Sequence, residues 1–233
     1  MATHTQSAHF NYTINEWKQN KHQNYLDIIF KDNDIKIIFD IGANVGGTSY
    51  IFNEYAKNNN KTIEQIFVFE PDNENMNFMK NKLDESIDKT IKTIFIEKGI
   101  YYGKTSSVVC GMGHKGQGLH HNVGGYSIQE CCEKAVELRN SRGESIDSYV
   151  YPDKIFELDT LENLSNGIIP DFVKIDVEGA EVNIIENSTI LKKAKYLIIE
   201  WNSDLNYIEF FIKHLPDHKI IRNDFDILLK RNY

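Results

Sequence analysis

The chain has 233 residues, 41% of them hydrophobic, and 34 acidic against 26 basic side chains leave a formal net charge of -8. That length suits one α/β domain with a full core, and the negative balance argues against a broad phosphate-binding surface, so nucleic acid is not an expected partner. No apolar run approaches the roughly 20 residues a bilayer demands, and the Met1-Ala2-Thr3-His4 start lacks the pattern of a secretion signal, so a soluble, cytoplasmic protein with no membrane span is expected.

Taken in chain order, residues 1–30 read as a helical extension, with the first eight disordered and a helix over Glu16 to Phe30 packing across a sheet edge. A single core domain would then occupy 31–233. Ile35 to Gly47 runs from branched and aromatic residues into Asp40-Ile41-Gly42-Ala43-Asn44-Val45-Gly46-Gly47, a strand, a glycine turn and the start of a helix over Thr48 to Lys57. A second strand, Gln65 to Phe69, ends in Glu70-Pro71. The two strands make a βαβ unit with an acid at each strand tip, the outline of a nucleoside-cofactor site.

What the turn lacks narrows the ligand. A dinucleotide fingerprint needs a glycine where Asn44 stands, and Asp40 would repel a pyrophosphate. Gly42 and Gly47 have the outer spacing of a P-loop, but Thr48 and Ser49 follow and no lysine meets a phosphate. A ligand with a cationic amino-acid end, a ribose and no phosphate fits better, with Asp40 near the cation and Glu70 accepting from the ribose hydroxyls. S-adenosylmethionine has that chemistry.

Further along, Asn73 to Leu83 reads as a helix and Thr93 to Ile96 as the third strand, with Glu97-Lys98-Gly99 at the same edge as Asp40 and Glu70. Ser106 to Cys110 reads as a short extra strand. From Gly111 to Tyr149 the pattern fails, because seven glycines interrupt it, and a stretch of that length and composition is read as an insertion covering the substrate. His120, His121, Tyr126 and Arg142 are its candidate contacts. Regularity returns with Ile155 to Leu158, a helix over Thr160 to Leu164, a buried strand over Asp171 to Asp176, a helix to about Leu191, a strand over Ala194 to Trp201, and a helix over Tyr207 to Leu215. His218 to Arg222 and Phe225 to Lys230 read as a closing hairpin.

Three blocks in this order, Phe39-Asp40-Ile41-Gly42-Ala43-Asn44-Val45-Gly46, Phe69-Glu70-Pro71, and Asp171-Phe172-Val173-Lys174-Ile175-Asp176-Val177-Glu178-Gly179-Ala180-Glu181, resemble the signature blocks of FkbM-type methyltransferases. The resemblance implies an α/β fold of class I, Rossmann-like and doubly wound, with a mostly parallel seven-stranded sheet and a C-terminal antiparallel hairpin. It also implies S-adenosylmethionine as the methyl donor and a hydroxyl acceptor, often on a sugar or glycan. A small non-sugar metabolite as acceptor, or a non-catalytic binding module on the same fold, are the alternatives.

The residues assigned to the cofactor are Asp40, Gly42, Ala43, Asn44, Gly46, Glu70, Pro71, Gly99 and Asp176. Asp176, Glu178 and His121 are the candidates for catalysis, with Asp176 or a loop histidine removing the hydroxyl proton. Asp176, Glu178 and Glu200 are oxygen donors of the kind magnesium prefers, but a divalent metal is not expected. Cys110, Cys131, Cys132 and the insertion histidines lack zinc-ligand spacing. With three cysteines, two of them adjacent, reduced thiols are expected.

Overall fold

The computed structural model describes residues 4–19, 22–32, 34–112, 126–129, 131–133, 149–150 and 154–232. A seven-stranded sheet carries the fold. Its strands are β1 (Ile37–Ile41), β2 (Gln65–Phe69), β3 (Lys92–Ile96), β9 (Phe172–Ile175), β10 (Tyr196–Ile199), β11 (His218–Arg222) and β12 (Ile227–Arg231), in the order β11-β12-β10-β9-β1-β2-β3. The β3-β2-β1-β9-β10 run is parallel, and β12 is antiparallel to both its neighbours. Chain order reverses between β1 and β9, so the carboxyl ends of those strands open a crevice where this sheet class binds ligands.

Helices cover both faces, because period-two alternation along each central strand sends side chains both ways. Ile38, Ile66, Val68, Phe172 and Ile198 pack with α3 (Gly47–Asn58) and α4 (Asn73–Ser86). Phe39, Phe67, Phe69, Val173, Ile175 and Leu197 pack with α5 (Leu161–Leu164), α6 (Glu181–Asn187) and α7 (Tyr207–His214). Burial of these strands is near complete, which is why their sequences read as apolar runs, interrupted inside only by Asp40 in β1 and Lys174 in β9. Asp171 ties β9 to the start of β1 by accepting from the Lys36 and Ile37 N–H groups at 2.8 and 2.9 Å. Asp72 caps α4, accepting from the Glu74 and Asn75 N–H groups.

The N-terminal segment differs from expectation. It forms two helices, α1 (His4–Lys18) and α2 (Gln23–Ile29), so residues 4–8 are helical and one continuous helix over Glu16 to Phe30 is not formed. The apolar stripe starts earlier than that expected helix, since Phe10, Ile14 and Trp17 lie three and four residues apart and share one face. Phe10 packs edge-on against Tyr50 and Phe78, and Trp17 against Phe52, so α1 docks on α3 and α4 rather than on a sheet edge. Gly47 permits the approach: a Cβ there would lie 2.7 Å from the Thr13 Cβ.

A second, smaller sheet orders β4 (Gly99–Ile100), β8 (Ile155–Asp159), β5 (Ser106–Met112) and β6 (Tyr126–Ile128), with β7 (Tyr149–Val150) on β5. The strand read over Ser106 to Cys110 is thus present as most of β5, while its last two residues, β6 and the start of β7 fall inside the stretch where sequence periodicity fails. Their partners are distant in sequence and leave no local signature. The expectation of reduced thiols is also corrected, because Cys110 and Cys132 form a disulfide across 22 residues. The antiparallel register sets Cys110 opposite Ser127, which brings the short helical turn after β6 back to β5. The hairpin loop is longer than read: β12 begins at Ile227, leaving Phe225 and Asp226 in the turn. Helix α6 ends at Asn187, four residues before Leu191, with a separate 3-10 turn over Leu191–Lys193.

Candidate functional site

A cavity of about 790 Å³ lies at the carboxyl ends of β1, β2, β9 and β10. Of the residues read as cofactor ligands, Gly42, Ala43, Asn44, Glu70, Pro71, Gly99 and Asp176 line it, and Glu178 joins them. Asp40 and Gly46 stand behind the lining. Asp40 is fully buried, with one carboxylate oxygen accepting from Ser49 at 2.6 Å and the other 3.8 Å from the Lys174 ammonium. Gly46 caps α3 at φ 83°, where a Cβ would strike Met79 at 2.7 Å. His121, with His114, His120 and Arg142, lies outside the described residues, as does the Tyr126 side chain.

The turn is held from several sides. Gly42 has φ 75°, and a Cβ there would sit 1.7 Å from the Asp176 carbonyl oxygen, so neither the conformation nor the space admits a side chain. Asn44, also left-handed at φ 53°, donates its N–H to Glu70 Oε2 at 2.8 Å. Glu70 Oε1 accepts the Asp72 N–H at 3.0 Å. Asn44 Oδ1 accepts from Asn75 at 3.1 Å, and Asn44 Nδ2 meets His9 Nε2 of α1 at 2.8 Å. Burial lifts the Glu70 carboxyl to about 8 despite these donors. Pro71, Ile100 and Leu158 add apolar lining near Glu70, with Gly99 pressed against Leu158.

The β9 end has another character. Parallel register sets Asp40 beside Lys174, and Asp176 follows two residues on, along the same face. The buried Lys174 ammonium donates to Asp176 Oδ2 at 2.9 Å and to the Gly42 carbonyl at 3.1 Å. Burial alone would lower its pKa, but the carboxylates of Asp176 and Asp40 hold it well above the lysine range. Burial would raise Asp176, yet Lys174 and a hydrogen bond from Glu200 keep it below the usual range. Glu200, at the end of β10, is pushed up to about 9 by the charge of Asp176 and by burial. Asp176 and Glu200 therefore titrate as a pair, with Glu200 the one that keeps its proton to higher pH. Glu178, at φ 51°, is lifted to about 7 by burial and by the charges of Asp176 and Glu181. The Ser127 hydroxyl donates to its carbonyl oxygen, linking it to β6.

Several lining residues escaped the sequence reading. Helix α1 contributes His9, Tyr12, Thr13, Glu16 and Trp17, and the β11–β12 loop contributes Asn223, Phe225 and Asp226. The spacing of Phe10, Ile14 and Trp17 could have revealed the helix, but nothing local shows what it packs on. Among the described residues, no group of three or more His, Cys, Asp and Glu side chains is arranged to hold a metal, and no helix is long and apolar enough to cross a membrane.

Comparison with known proteins adds the following. A family model described as "Methyltransferase FkbM domain" matches residues 40–233. Among solved structures, a methyltransferase FkbM from Methylobacillus flagellatus KT superposes with a TM-score of 0.52 at 14% identity, covering 85% of this chain and 44% of that one. The chain thus spans less than half that protein's length, and the likeness is one of fold. M. capricolum TrmK in complex with S-adenosyl-homocysteine (TM-score 0.42, 15% identity, covering 89% of this chain and 68% of that one) is also similar. So is a precorrin-6y C5,15-methyltransferase from Geobacter metallireducens GS-15, with a TM-score of 0.44 and 12% identity, over 90% of this chain and 89% of that one. No curated protein matches the chain in sequence.

Proposed function

Because the chain belongs to the methyltransferase FkbM domain family, we propose that it transfers a methyl group from S-adenosylmethionine to a hydroxyl oxygen of a sugar or glycan. The observation that carries this reading is the pairing, in one cavity, of Glu70 at the tip of β2 with the carboxyl groups of Asp176, Glu178 and Glu200 around the tips of β9 and β10. The residues present fit the cofactor. Glu70 spends at least two acceptor positions on the Asn44 and Asp72 N–H groups, and a carboxylate has about four, so capacity remains for ribose hydroxyls. Pro71, Ile100 and Leu158 offer an apolar slot for a base. Asp40 acts from behind, holding Lys174 and Ser49 and, through Lys174, the Gly42 carbonyl.

When bound, the cofactor supplies an activated methyl on a sulfonium. The protein then has to align the acceptor oxygen, exclude water and take the hydroxyl proton. Glu178 suits the last task, because a group titrating near 7 is poised to accept a proton at neutral pH. Asp176, salt-bridged to Lys174 and held ionised, is the weaker base and serves to orient the hydroxyl. Trp17, Trp201, Tyr207 and Phe225 line the same cavity as Glu200 and Asp226. Rings and hydroxyl-accepting carboxylates in one cavity match a polyhydroxylated, uncharged acceptor.

Thermal unfolding and a methyl-transfer screen test the reading. S-adenosylmethionine or its demethylated product should raise the midpoint while NAD and ATP do not. Labelled methyl should pass to members of a sugar and glycan panel. Binding of NAD without S-adenosylmethionine would overturn the cofactor assignment, and transfer confined to non-sugar hydroxyls would overturn the acceptor.

A further inference from the structure

The family model begins at residue 40, yet a wall of the cavity comes from α1, before it. The meeting point is specific. Asn44 has its backbone N–H on Glu70 and its side-chain oxygen on Asn75, which leaves its amide N–H groups facing His9 Nε2 at 2.8 Å. An amide donor there requires His9 Nε2 to be the acceptor, hence a neutral imidazole with its proton on Nδ1. Close by, the Gly47–Thr13 approach and the burial of Phe10 and Trp17 dock the same helix on α3.

We propose that His9 is a positioning residue of the cofactor site, accepting a hydrogen bond from Asn44 that latches α1 to the glycine turn and couples helix docking to cofactor binding. The proposal rests on the cofactor reading above. Protonated, the imidazole would present a donor to the Asn44 donor and the latch would open. The charged groups facing His9 are Asp176 and Lys174 from β9, with Glu70 beyond Asn44, and Tyr12 lies beside it on α1 with ring centroids 6.2 Å apart. Burial, the largest influence, and Lys174 lower the His9 pKa, while Asp176 raises it. Stability gained from a neutral histidine is present above about 6.5 and declines as pH falls from there toward the lowered folded value.

The test is calorimetric titration of S-adenosyl-homocysteine into the full chain at pH 7.5, with amide exchange over residues 4–18, comparing the parent with His9→Gln and His9→Leu. Glutamine keeps an acceptor at every pH, and leucine removes it. At pH 7.5, His9→Leu should bind about three- to tenfold more weakly with faster exchange in α1, while His9→Gln stays within about twofold of the parent. Parental affinity and exchange in His9→Leu, or equal losses in His9→Gln and His9→Leu, would overturn the latch. If the parent binds no S-adenosyl-homocysteine, the cofactor reading fails separately. Exchange in the unliganded chains then decides: faster in His9→Leu than in His9→Gln supports the latch, and equal rates refute it.

Discussion

The two ends of the cavity use carboxylates in opposite ways. At the glycine turn, the hydrogen bonds of Glu70 come from backbone N–H groups and that of Asp40 from a hydroxyl, donors that do not ionise, and the Lys174 ammonium approaches Asp40 only to 3.8 Å. At the β9 end, Asp176, Glu178 and Glu200 act on one another's charge around a single buried ammonium. Partners of the first kind hold a fixed binding geometry. Partners of the second kind spread the pKa values of neighbouring acids, with Asp176 below its usual range and Glu178 and Glu200 at about 7 and 9, which sets up groups able to hold or release a proton near neutrality. Binding and proton handling are thus separated along one cavity by what each carboxylate faces.

The sharpest way to break this contrast is to remove the one group serving both ends. Lys174→Met leaves Asp40 buried without its cation and Asp176 without its salt bridge, and should lower unfolding stability by about 3–5 kcal/mol in denaturant titrations at pH 7. A loss below about 1 kcal/mol would show the ends to be electrostatically independent.

Glu178→Gln isolates the proton-handling end. It should lower kcat by about a hundredfold or more, remove a pH-rate limb near 7, and leave cofactor affinity within about twofold. Its linkage to folding has a definite sign. The folded chain holds this proton up to about 7 while the unfolded chain releases it near 4.5, so the contribution is present below 4.5 and lost as pH rises through 7. Glu70 and Glu200 extend the same fall to about 8 and 9. Unliganded protein should therefore lose stability between pH 5 and 9, and Glu178→Gln should flatten the lower part of that fall.

The smallest expected effect lies at the binding end. Glu70→Ala should weaken S-adenosyl-homocysteine binding by about 1.5–3 kcal/mol with the fold retained, by calorimetry and circular dichroism. In the parent, affinity should rise toward pH 8, because ribose hydroxyls donate to the ionised carboxylate and its deprotonation becomes less costly. Unchanged binding in Glu70→Ala would return this residue to a structural role in bracing Asn44 and Asp72.

The parallel core and the crevice were legible in the chain because both depend on local chemistry. Runs such as Ile35 to Phe39 and Ile66 to Phe69 bury on both faces of a sheet and need no distant partner to be recognised. Gly42 stands where a left-handed backbone is required, and Glu70-Pro71 stops a strand at its tip. The same is true of Lys174 and Asp176, whose spacing of two already puts them on one face.

What the sequence left undetermined is who meets whom across long separations. That Lys174 neutralises Asp40 follows from strand register between residues 134 positions apart, and that Asp176 meets Glu200 follows from β9 lying beside β10. The same holds for α1, whose stripe of Phe10, Ile14 and Trp17 announces a helix but not the cavity it walls, and for Cys110 and Cys132, joined only once β5 and β6 pair. Local propensity and periodicity act over a few residues and so are written in the chain. The charge partners, the disulfide and the latch between His9 and Asn44 are non-local contacts, which exist only after the sheet order and helix docking have brought their residues together.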